Sequence, residues 1–273
     1  MRSSTSNRWI VFLSLSSLAG ALLAQVIGDE AMQDALAPTG TLRAVFLATN
    51  PMQARVDPQT QEVTGPAADV ARELGRRMGA WVSIQPVPGV PAVIEAVQNG
   101  SADIGFLAYD ATRAEQVAFT QAYILGHNSY IVRADSPIRA LADADREGVR
   151  IGSREGVAVD LSLSRTLERA ELVHLPRATE DEEAARMLLA DEIDAYAANT
   201  ERLAVVAAND SRIRIVDGSL MFAEQSIVVA QGNEAGIAQL NRFIDETRSS
   251  GFLQSIVDRY GLAGVEVAPK DTR

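Results

Sequence analysis

The strongest constraint on the fold is an alternation of short apolar or β-branched runs with amphipathic helical patterns. Runs at 41–48, 102–108 and 149–153 have the length of buried strands, and helical patterns at 67–78 and 180–190 lie between runs of this kind. Strands that alternate with helices of this size indicate α/β units around a largely parallel sheet. We therefore predict an α/β fold in which each sheet is mixed, mostly parallel and flanked by helices.

The alternation occurs twice, once before about residue 120 and once after about residue 149. In each half a helical pattern leads through a turn into a strand, first at 102–105 and again at 193–196. Two extended segments, 119–134 and 220–231, connect the halves. Two similar α/β units joined by two extended segments predict a hinged clamshell with a ligand bound between its lobes.

The N-terminal segment has the layout of a secretory signal peptide. Arg2 and Arg8 supply positive charge, an apolar run follows at 9–23, and small residues surround Ala24. The apolar run is short for a membrane-spanning helix, which needs about 20 residues. We expect residues 1–24 to be cleaved near Ala24 and the protein to be exported to the periplasm; the alternative is a transmembrane anchor.

Composition excludes several classes of function. The chain has no Cys and two His, so disulfides and metal sites built from thiolates or imidazoles are not expected. A formal net charge of −11 makes nucleic acid and anionic membranes poor partners. The sequence carries neither a Gly-x-Ser-x-Gly nucleophile motif nor a phosphate-binding Gly-Lys-Ser/Thr loop. We expect no cofactor and no metal.

Short motifs in a defined order carry a resemblance to a known family. They are Gly40-Thr41-Leu42-Arg43, Asn99-Gly100-Ser101-Ala102-Asp103-Ile104, Arg113 with Phe119-Thr120, Ser250-Gly251-Phe252 and Tyr260-Gly261. In this order the chain resembles the family-3 extracellular solute-binding proteins, the polar-amino-acid receptors of ABC transporters. The resemblance covers nearly all of the chain after the predicted signal peptide.

The resemblance implies a type II periplasmic-binding-protein clamshell. The first lobe would comprise residues 25–128 and 232–273, and the second lobe residues 129–231. The implied partners are a small-molecule ligand that is a carboxylate or amino-acid-like, and the membrane permease of an ABC transporter. The protein would act as a monomer.

Arg113 is the strongest single candidate for ligand binding. It follows the predicted strand 102–108 by five residues, and the carboxyl ends of strands in α/β folds face ligand sites. Its guanidinium offers a planar set of donors that matches a carboxylate. The resemblance gives this position to the Arg that holds the α-carboxylate of the substrate. The alternative is a surface Arg paired with Glu115 or Asp110.

The other site positions that the resemblance implies carry unusual residues. Ala108 and Asp110 stand where the family has hydroxyl side chains, and Asp110 would either cap a helix or contact the ligand. Glu155, Gly156 and Val157 stand at a turn of the second lobe whose backbone amides complete the carboxylate site. Glu155 would either favour the start of that helix or contact the ligand.

Recognition of an amino group is weakened in this sequence. Asn199 stands where the family has the Asp that pairs with the ammonium group, and a neutral amide cannot supply that charge. Val90 replaces a common stacking aromatic, Asn50 lies near another such position, and Tyr109 is a candidate to compensate. We expect the ligand to be a small carboxylate or a differently substituted amino compound.

These observations predict the solute-binding component of an ABC transporter, which captures a small anionic or amino-acid-like solute by hinge closure. One alternative is a periplasmic enzyme on the same fold, such as a dehydratase that uses Glu155 or Asp110 as general acid or base. Another is an accessory or sensor module that binds a second protein and no nutrient.

Overall fold

The structure, a computed structural model, describes residues 30–50, 52–270 and 272. The predicted signal peptide, residues 1–24, lies outside these residues. No helix within the described part of the chain has the length and apolar character that crossing a membrane requires.

Strands and helices alternate along the described chain. The strands are β1 (Thr41–Leu47), β2 (Arg55–Val56), β3 (Val63–Thr64), β4 (Trp81–Val87), β5 (Ile104–Ala108), β6 (Val117–Phe119), β7 (Ile124–Arg133), β8 (Arg150–Arg154), β9 (Glu171–Leu175), β10 (Ala195–Asn199), β11 (Ile213–Ile215), β12 (Met221–Ala230) and β13 (Val265–Val267). The helices are α1 (residues 30–36), α2 (Pro66–Met78), α3 (Val90–Gln98), α4 (Ala111–Ala114), α5 (Ala158–Thr166), α6 (Asp181–Leu189), α7 (Thr200–Asn209), α8 (Glu234–Ser249) and α9 (Phe252–Tyr260), with a 3₁₀ turn at Leu141–Asp143.

Helix α2 illustrates how local sequence sets these elements. Val70, Leu74 and Met78 recur at helical spacing, and all three are buried. Pro66 occupies the first turn, where its missing N–H costs nothing, and Gly79 ends the helix in the left-handed conformation. The structure confirms the helix predicted at 67–78 to within one residue.

The sheet contains two parallel three-stranded units with the same strand order. In one unit β1 lies between β4 and β5, and in the other β8 lies between β9 and β10. We call these units lobe 1 and lobe 2. Since each has its first strand in the centre, the repeat predicted from the sequence is a repeat of topology.

An Arg–Asp pair recurs at the same place in both lobes. Arg43 on β1 donates from its backbone N–H and from its guanidinium to Asp103, just before β5. Arg150 on β8 makes the same three hydrogen bonds to Asp194, just before β10. Each pair ties the first strand to the third strand of its unit, and a planar guanidinium suits this bidentate contact.

Two long antiparallel strands connect the lobes. Strands β7 and β12 pair with each other from Ile124 opposite Gln225 to Asn128 opposite Met221. Beyond this shared segment β7 pairs with β10 of lobe 2, while β12 pairs with β5 of lobe 1. These strands are the two extended connections predicted from the sequence. The chain positions at which the lobes divide, 128/129 and 231/232, stay a prediction.

The hydrophobic core divides in the same way. Large clusters around Phe46, Leu74 and Phe243 and around Val93 and Leu107 fill lobe 1. Separate clusters lie in lobe 2 on the two faces of its sheet, one including Tyr196 and the other including Tyr130. Because each lobe buries its own apolar side chains, the space between the lobes can hold polar groups and a ligand.

Candidate ligand-binding site

The carboxyl ends of four strands, two from each lobe, meet at one cavity. Leu47 ends β1, Ala108 ends β5, Arg154 ends β8 and Asn199 ends β10, and all four residues line the cavity. Ligands in open α/β sheets bind at this edge. The cavity has a volume of about 110 Å³, which corresponds to about four waters at the density of the liquid.

Six of the ten residues predicted for the site line this cavity: Arg113, Asn199, Ala108, Val157, Asn50 and Val90. The other four, Asp110, Glu155, Gly156 and Tyr109, lie outside its lining.

Arg113 reaches the cavity from the short helix α4 and is only 7% exposed. Its Nη1 donates to the carbonyl of Ala108 at 2.9 Å, and its Nη2 donates to the carbonyl of Gly156 in lobe 2 at 3.1 Å. Burial lowers the pKa of Arg113, and the charge of Asp110 opposes this shift. An Arg side chain titrates so far above neutral pH that the group remains a cation. A fixed, partly desolvated cation is therefore presented to the cavity.

Asp110 positions Arg113 and is turned away from the cavity. Its carboxylate caps α4, accepting from the backbone N–H of Thr112 at 2.9 Å and of Arg113 at 3.4 Å. Its second oxygen lies 3.6 Å from the guanidinium of Arg165. Of the two roles left open by the sequence, the geometry gives Asp110 the helix cap.

The turn before α5 differs from the expected arrangement. The amide of Gly156 donates to Asp160 Oδ2 at 2.9 Å, and the same carboxylate contacts Nδ1 of His174 at 2.8 Å. The Gly156 amide is thus engaged within lobe 2, while its carbonyl receives Arg113. The first residues of the helix, Ala158 and Val159, line the cavity instead. Helix N-termini present free N–H groups that suit an anion.

Glu155 and Tyr109 are not part of the cavity lining. Glu155 is exposed, and its backbone N–H donates to the carbonyl of Leu175. The ring of Tyr109 packs edge-on against Phe119 at a centroid distance of 5.2 Å.

Asn199 lies in the cavity wall but is committed to a helix cap. Its Oδ1 accepts from the backbone N–H of Glu201 at 3.0 Å, and its Nδ2 lies 3.6 Å from Sδ of Met52. The side chain therefore presents a neutral amide where an acid would pair with an ammonium group.

A buried Gln organises the loop that carries Asn50 and Met52. Gln53 Oε1 accepts from the N–H of Leu47, and its Nε2 donates to the carbonyl of Phe106 and to Gln225 Oε1. Gln225 itself lines the cavity. This network joins the loop to β1, β5 and β12, so the position of the loop depends on the connection between the lobes.

The cavity lining is strongly cationic. Three guanidinium groups contribute to it, those of Arg113, Arg154 and Arg202, and no described lining residue is an Asp or Glu. Arg202 is neutralised by Asp181, whose carboxylate lies 2.6 Å from its Nη2. The remaining charge favours an anionic ligand, because a guanidinium offers several N–H donors to one carboxylate.

Several lining residues were not predicted from the sequence. They are Leu47, Thr49, Met52, Asn128, Arg154, Ala158, Val159, Tyr196, Ala197, Ala198, Arg202, Ala223 and Gln225. Arg154 had a usable signal, because it directly follows the predicted strand 149–153. The others lie on strands β1, β7, β10 and β12, on helices α5 and α7 and in the loop after β1, and their approach to one cavity depends on the packing of the two lobes.

The lobes contact each other across the cleft in this structure. Besides the Arg113–Gly156 hydrogen bond, Arg55 Nη2 of lobe 1 lies 2.6 Å from Glu201 Oε1 of lobe 2. The Glu201 side chain is 7% exposed, and burial raises the pKa of Glu201 while the charge of Arg55 lowers it. The described conformation is therefore closed around the cavity.

Comparison with solved structures identifies the fold. A protein from Wolinella succinogenes complexed with lysine matches with a TM-score of 0.69 and 20% identity, over 81% of this chain and 95% of that one. An amino acid ABC transporter substrate-binding protein from Streptococcus pneumoniae bound to L-arginine matches with a TM-score of 0.67 and 16% identity, over 85% and 99% of the two chains. At these identities the likeness shows the fold alone, the predicted two-lobed clamshell of type II periplasmic binding proteins.

A reconstructed protein also has this fold. An ancestral amino-acid-binding protein, a precursor of cyclohexadienyl dehydratase, matches with a TM-score of 0.67 and 19% identity, over 82% of this chain and 96% of that one. Comparison with curated proteins finds no match.

The sequence itself matches a family model. The model of the bacterial extracellular solute-binding proteins, family 3, matches residues 42–263, which include both lobes and both connecting strands. The match confirms the resemblance carried by the sequence motifs. The chain belongs to family 3 of the bacterial extracellular solute-binding proteins.

Proposed function

We propose that this protein is the solute-binding component of an ABC transporter and that it holds a small carboxylate between its lobes. The observation that carries the proposal is the charge of the cavity lining. Its described residues include three Arg and no Asp or Glu. A solute with a negative end would complete this site. Its attraction to the guanidinium groups is strengthened by their removal from water.

Arg113 is the group that we assign to the carboxylate. Two backbone carbonyls hold its guanidinium in place, and the remaining N–H groups of its five are the donors for the ligand. The amides at the start of α5 would approach the same anion from lobe 2. A ligand that touches both lobes favours the closed state, because it binds that state better than the open one.

The known ligands of the related structures sharpen the proposal. The structures from Wolinella succinogenes and Streptococcus pneumoniae hold lysine and arginine, which carry cationic groups. In this chain Asn199 supplies no negative charge, and the carboxylate of Asp181 is already engaged by Arg202 and by Tyr196. We infer that an α-amino group adds nothing to binding here.

Cellular context follows from the family. We propose that the residue 1–24 segment directs export, that the mature protein works in the periplasm as a monomer, and that its closed form is recognised by a membrane permease. Recognition of the closed form would couple ligand capture to transport.

The enzyme alternative has less support. A dehydratase on this fold would need a carboxylate in the cavity as general acid or base. Asp110 caps α4 and Glu155 is exposed, so neither predicted candidate lines the cavity.

A thermal-shift screen with matched ligand pairs tests the proposal. The pairs are propionate with alanine and succinate with aspartate, and lysine and arginine are included as cationic ligands. A binding carboxylate at a hundredfold excess over its Kd stabilises the protein by about 2.7 kcal/mol, a Tm rise of roughly 5–11 °C. We expect at least one carboxylate to reach this shift and its α-amino partner to give no larger one.

Each other outcome of the screen has a distinct meaning. Stabilisation by lysine or arginine alone would contradict an anionic ligand. If no small solute shifts Tm, a sensor module that binds another protein becomes the better explanation. Consumption of a bound carboxylate, followed by its ultraviolet absorbance, would restore the enzyme alternative.

Closure of the lobes should depend on the ion pair between Arg55 and Glu201. Arg55→Ala leaves a mostly buried carboxylate without its partner in the closed state alone, so the closed state loses stability. Because the Arg55 side chain is 60% exposed, we expect only about a two- to fivefold rise in the Kd of the ligand. Calorimetry measures this change, and small-angle scattering should show a larger radius without ligand.

The matched control for this variant is Arg212→Ala. Arg212 pairs with Asp210 on the surface of lobe 2 and spans no cleft. An unchanged radius and an unchanged Kd for Arg55→Ala would mean that the ion pair does not contribute to closure.

A further inference from the structure

Arg154 is a buried cation that the fold does not neutralise. It ends β8 in lobe 2, is 8% exposed, and lines the cavity that also holds Arg113. Among the described residues its guanidinium has no hydrogen-bond acceptor and no ion pair, whereas Arg113 has two carbonyl acceptors and Arg202 has a carboxylate. Buried charges without a partner are costly, so such a group indicates an absent anion.

The charge of Asp181 acts on Arg154, but no hydrogen bond or ion pair joins the two side chains. Asp181 is close enough for the charge of Arg154 to lower its pKa, although burial raises the pKa of Asp181 overall. One Asp181 oxygen accepts from the hydroxyl of Tyr196 at 2.8 Å, and the other accepts from Arg202 at 2.7 Å. Asp181 makes its hydrogen bonds to Tyr196 and Arg202, and the guanidinium of Arg154 keeps its donors for a ligand on the cavity side.

Arg154 also lines a second, wider cavity next to the first. The two cavities share Thr49, Arg154 and Arg202 in their linings, and the second has a volume of about 410 Å³. The second cavity also has acidic residues in its lining, namely Glu180, Asp181, Glu182 and Glu201, whereas the described lining of the first has none. Arg154 therefore lies where the two cavities meet, and it is the side facing Arg113 that would receive an anion.

We propose that Arg154 forms a second anion subsite and that the solute is a small dicarboxylate held by one guanidinium from each lobe. This inference rests on the proposed function and names its substrate class. One carboxylate binds Arg113 of lobe 1, and the other binds Arg154 of lobe 2. Since the two charges lie on different lobes, the dianion favours closure more strongly than a monoanion does.

A dicarboxylate held by Arg113 at one end would place its other end near Arg154, where the two cavities meet. The bidentate geometry of each guanidinium suits a carboxylate.

Chain-matched acids test the proposal by calorimetry. Succinate is compared with butyrate, and glutarate with valerate, on the wild-type protein and on Arg154→Gln. We expect the preferred dicarboxylate to bind the wild-type protein roughly 10- to 100-fold more tightly than its monocarboxylate partner, the range typical of one added charge-assisted contact. Arg154→Gln should remove that preference, because it weakens binding of the dicarboxylate much more than binding of the monocarboxylate.

Arg169→Gln is the control, because it removes the same charge from an exposed position of lobe 2. A cooperative thermal unfolding transition without ligand verifies that Arg154→Gln is folded. If that variant does not fold, Arg154→Lys and the wild-type comparison decide. Equal binding of both partners in a pair by the wild-type protein would overturn the dicarboxylate but leave the carboxylate receptor standing. Binding of no acid at all would overturn both proposals.

Discussion

Replacing Arg113 with Ala is expected to weaken binding of the anionic ligand by about 100-fold or more. Loss of one partner from a buried, hydrogen-bonded charge pair leaves the other charge without compensation in the closed cleft. The variant also loses the bond to the Gly156 carbonyl, one of the contacts that join the lobes. Calorimetry with the best acid from the screen measures the change in Kd, and the ligand-induced Tm rise should largely disappear.

Two further variants make this result specific. Arg113→Lys keeps the charge but loses the planar set of donors, so we expect it to recover only part of the affinity. Arg242→Ala removes an exposed positive charge from α8 in lobe 1 and should bind as the wild-type protein does. Undiminished binding by Arg113→Ala would show that the carboxylate lies elsewhere.

Replacing Gly65 with Ala is expected to give the largest loss of folding stability. Gly65 precedes α2 with φ 136° and ψ 171°, a conformation that is essentially restricted to glycine. An added Cβ would lie 2.6 Å from Cα of Ala54 and 2.8 Å from the carbonyl oxygen of Gln53. These are backbone atoms that cannot rotate away, so we expect a loss on the order of 4 kcal/mol, or roughly 8–16 °C in Tm.

The expected damage extends to the cavity. Gln53 accepts from the N–H of Ala67 through its carbonyl and holds Leu47 and Gln225 through its side chain. A backbone shift at Gln53 should therefore weaken ligand binding as well as folding.

Gly79 provides the matched control at the other end of α2. It also has a positive φ, 64°, but an added Cβ would meet no atom within 4 Å. Gly79→Ala should cost only the left-handed backbone conformation, about 1–2 kcal/mol. Differential scanning calorimetry measures Tm for both variants. Equal falls in Tm would show that the close approach of the added Cβ to Ala54 is relieved without strain.

Much of the fold could be predicted from local sequence because each long element carries its own pattern. Helices α2 and α6 and strands β1, β5, β8 and β10 were predicted close to their observed positions. The short strands β6, β11 and β13 have three residues each, too few for a recognisable period. They are strands because antiparallel partners in β12 and β7 lie beside them, which is a tertiary condition.

The site was predicted in part. The rule that ligands meet the carboxyl ends of strands led to Arg113, and the family resemblance added Ala108 and Asn199. All three line the cavity. The sequence could not decide whether Asp110 and the amide of Gly156 contact the ligand. Both make local hydrogen bonds in the structure, Asp110 to the start of α4 and the Gly156 amide to Asp160.

By itself the sequence determined two α/β lobes, the two strands that join them, and a family resemblance that gives Arg113 to the ligand and places Asn199 where the family has an acid. Tertiary structure alone decided which charges are left for a ligand. The sequence does not distinguish Arg154 from Arg202, but Asp181 from α6 forms an ion pair with Arg202 and none with Arg154. The pairing of buried charges depends on distances between distant segments, and only the packed lobes set those distances.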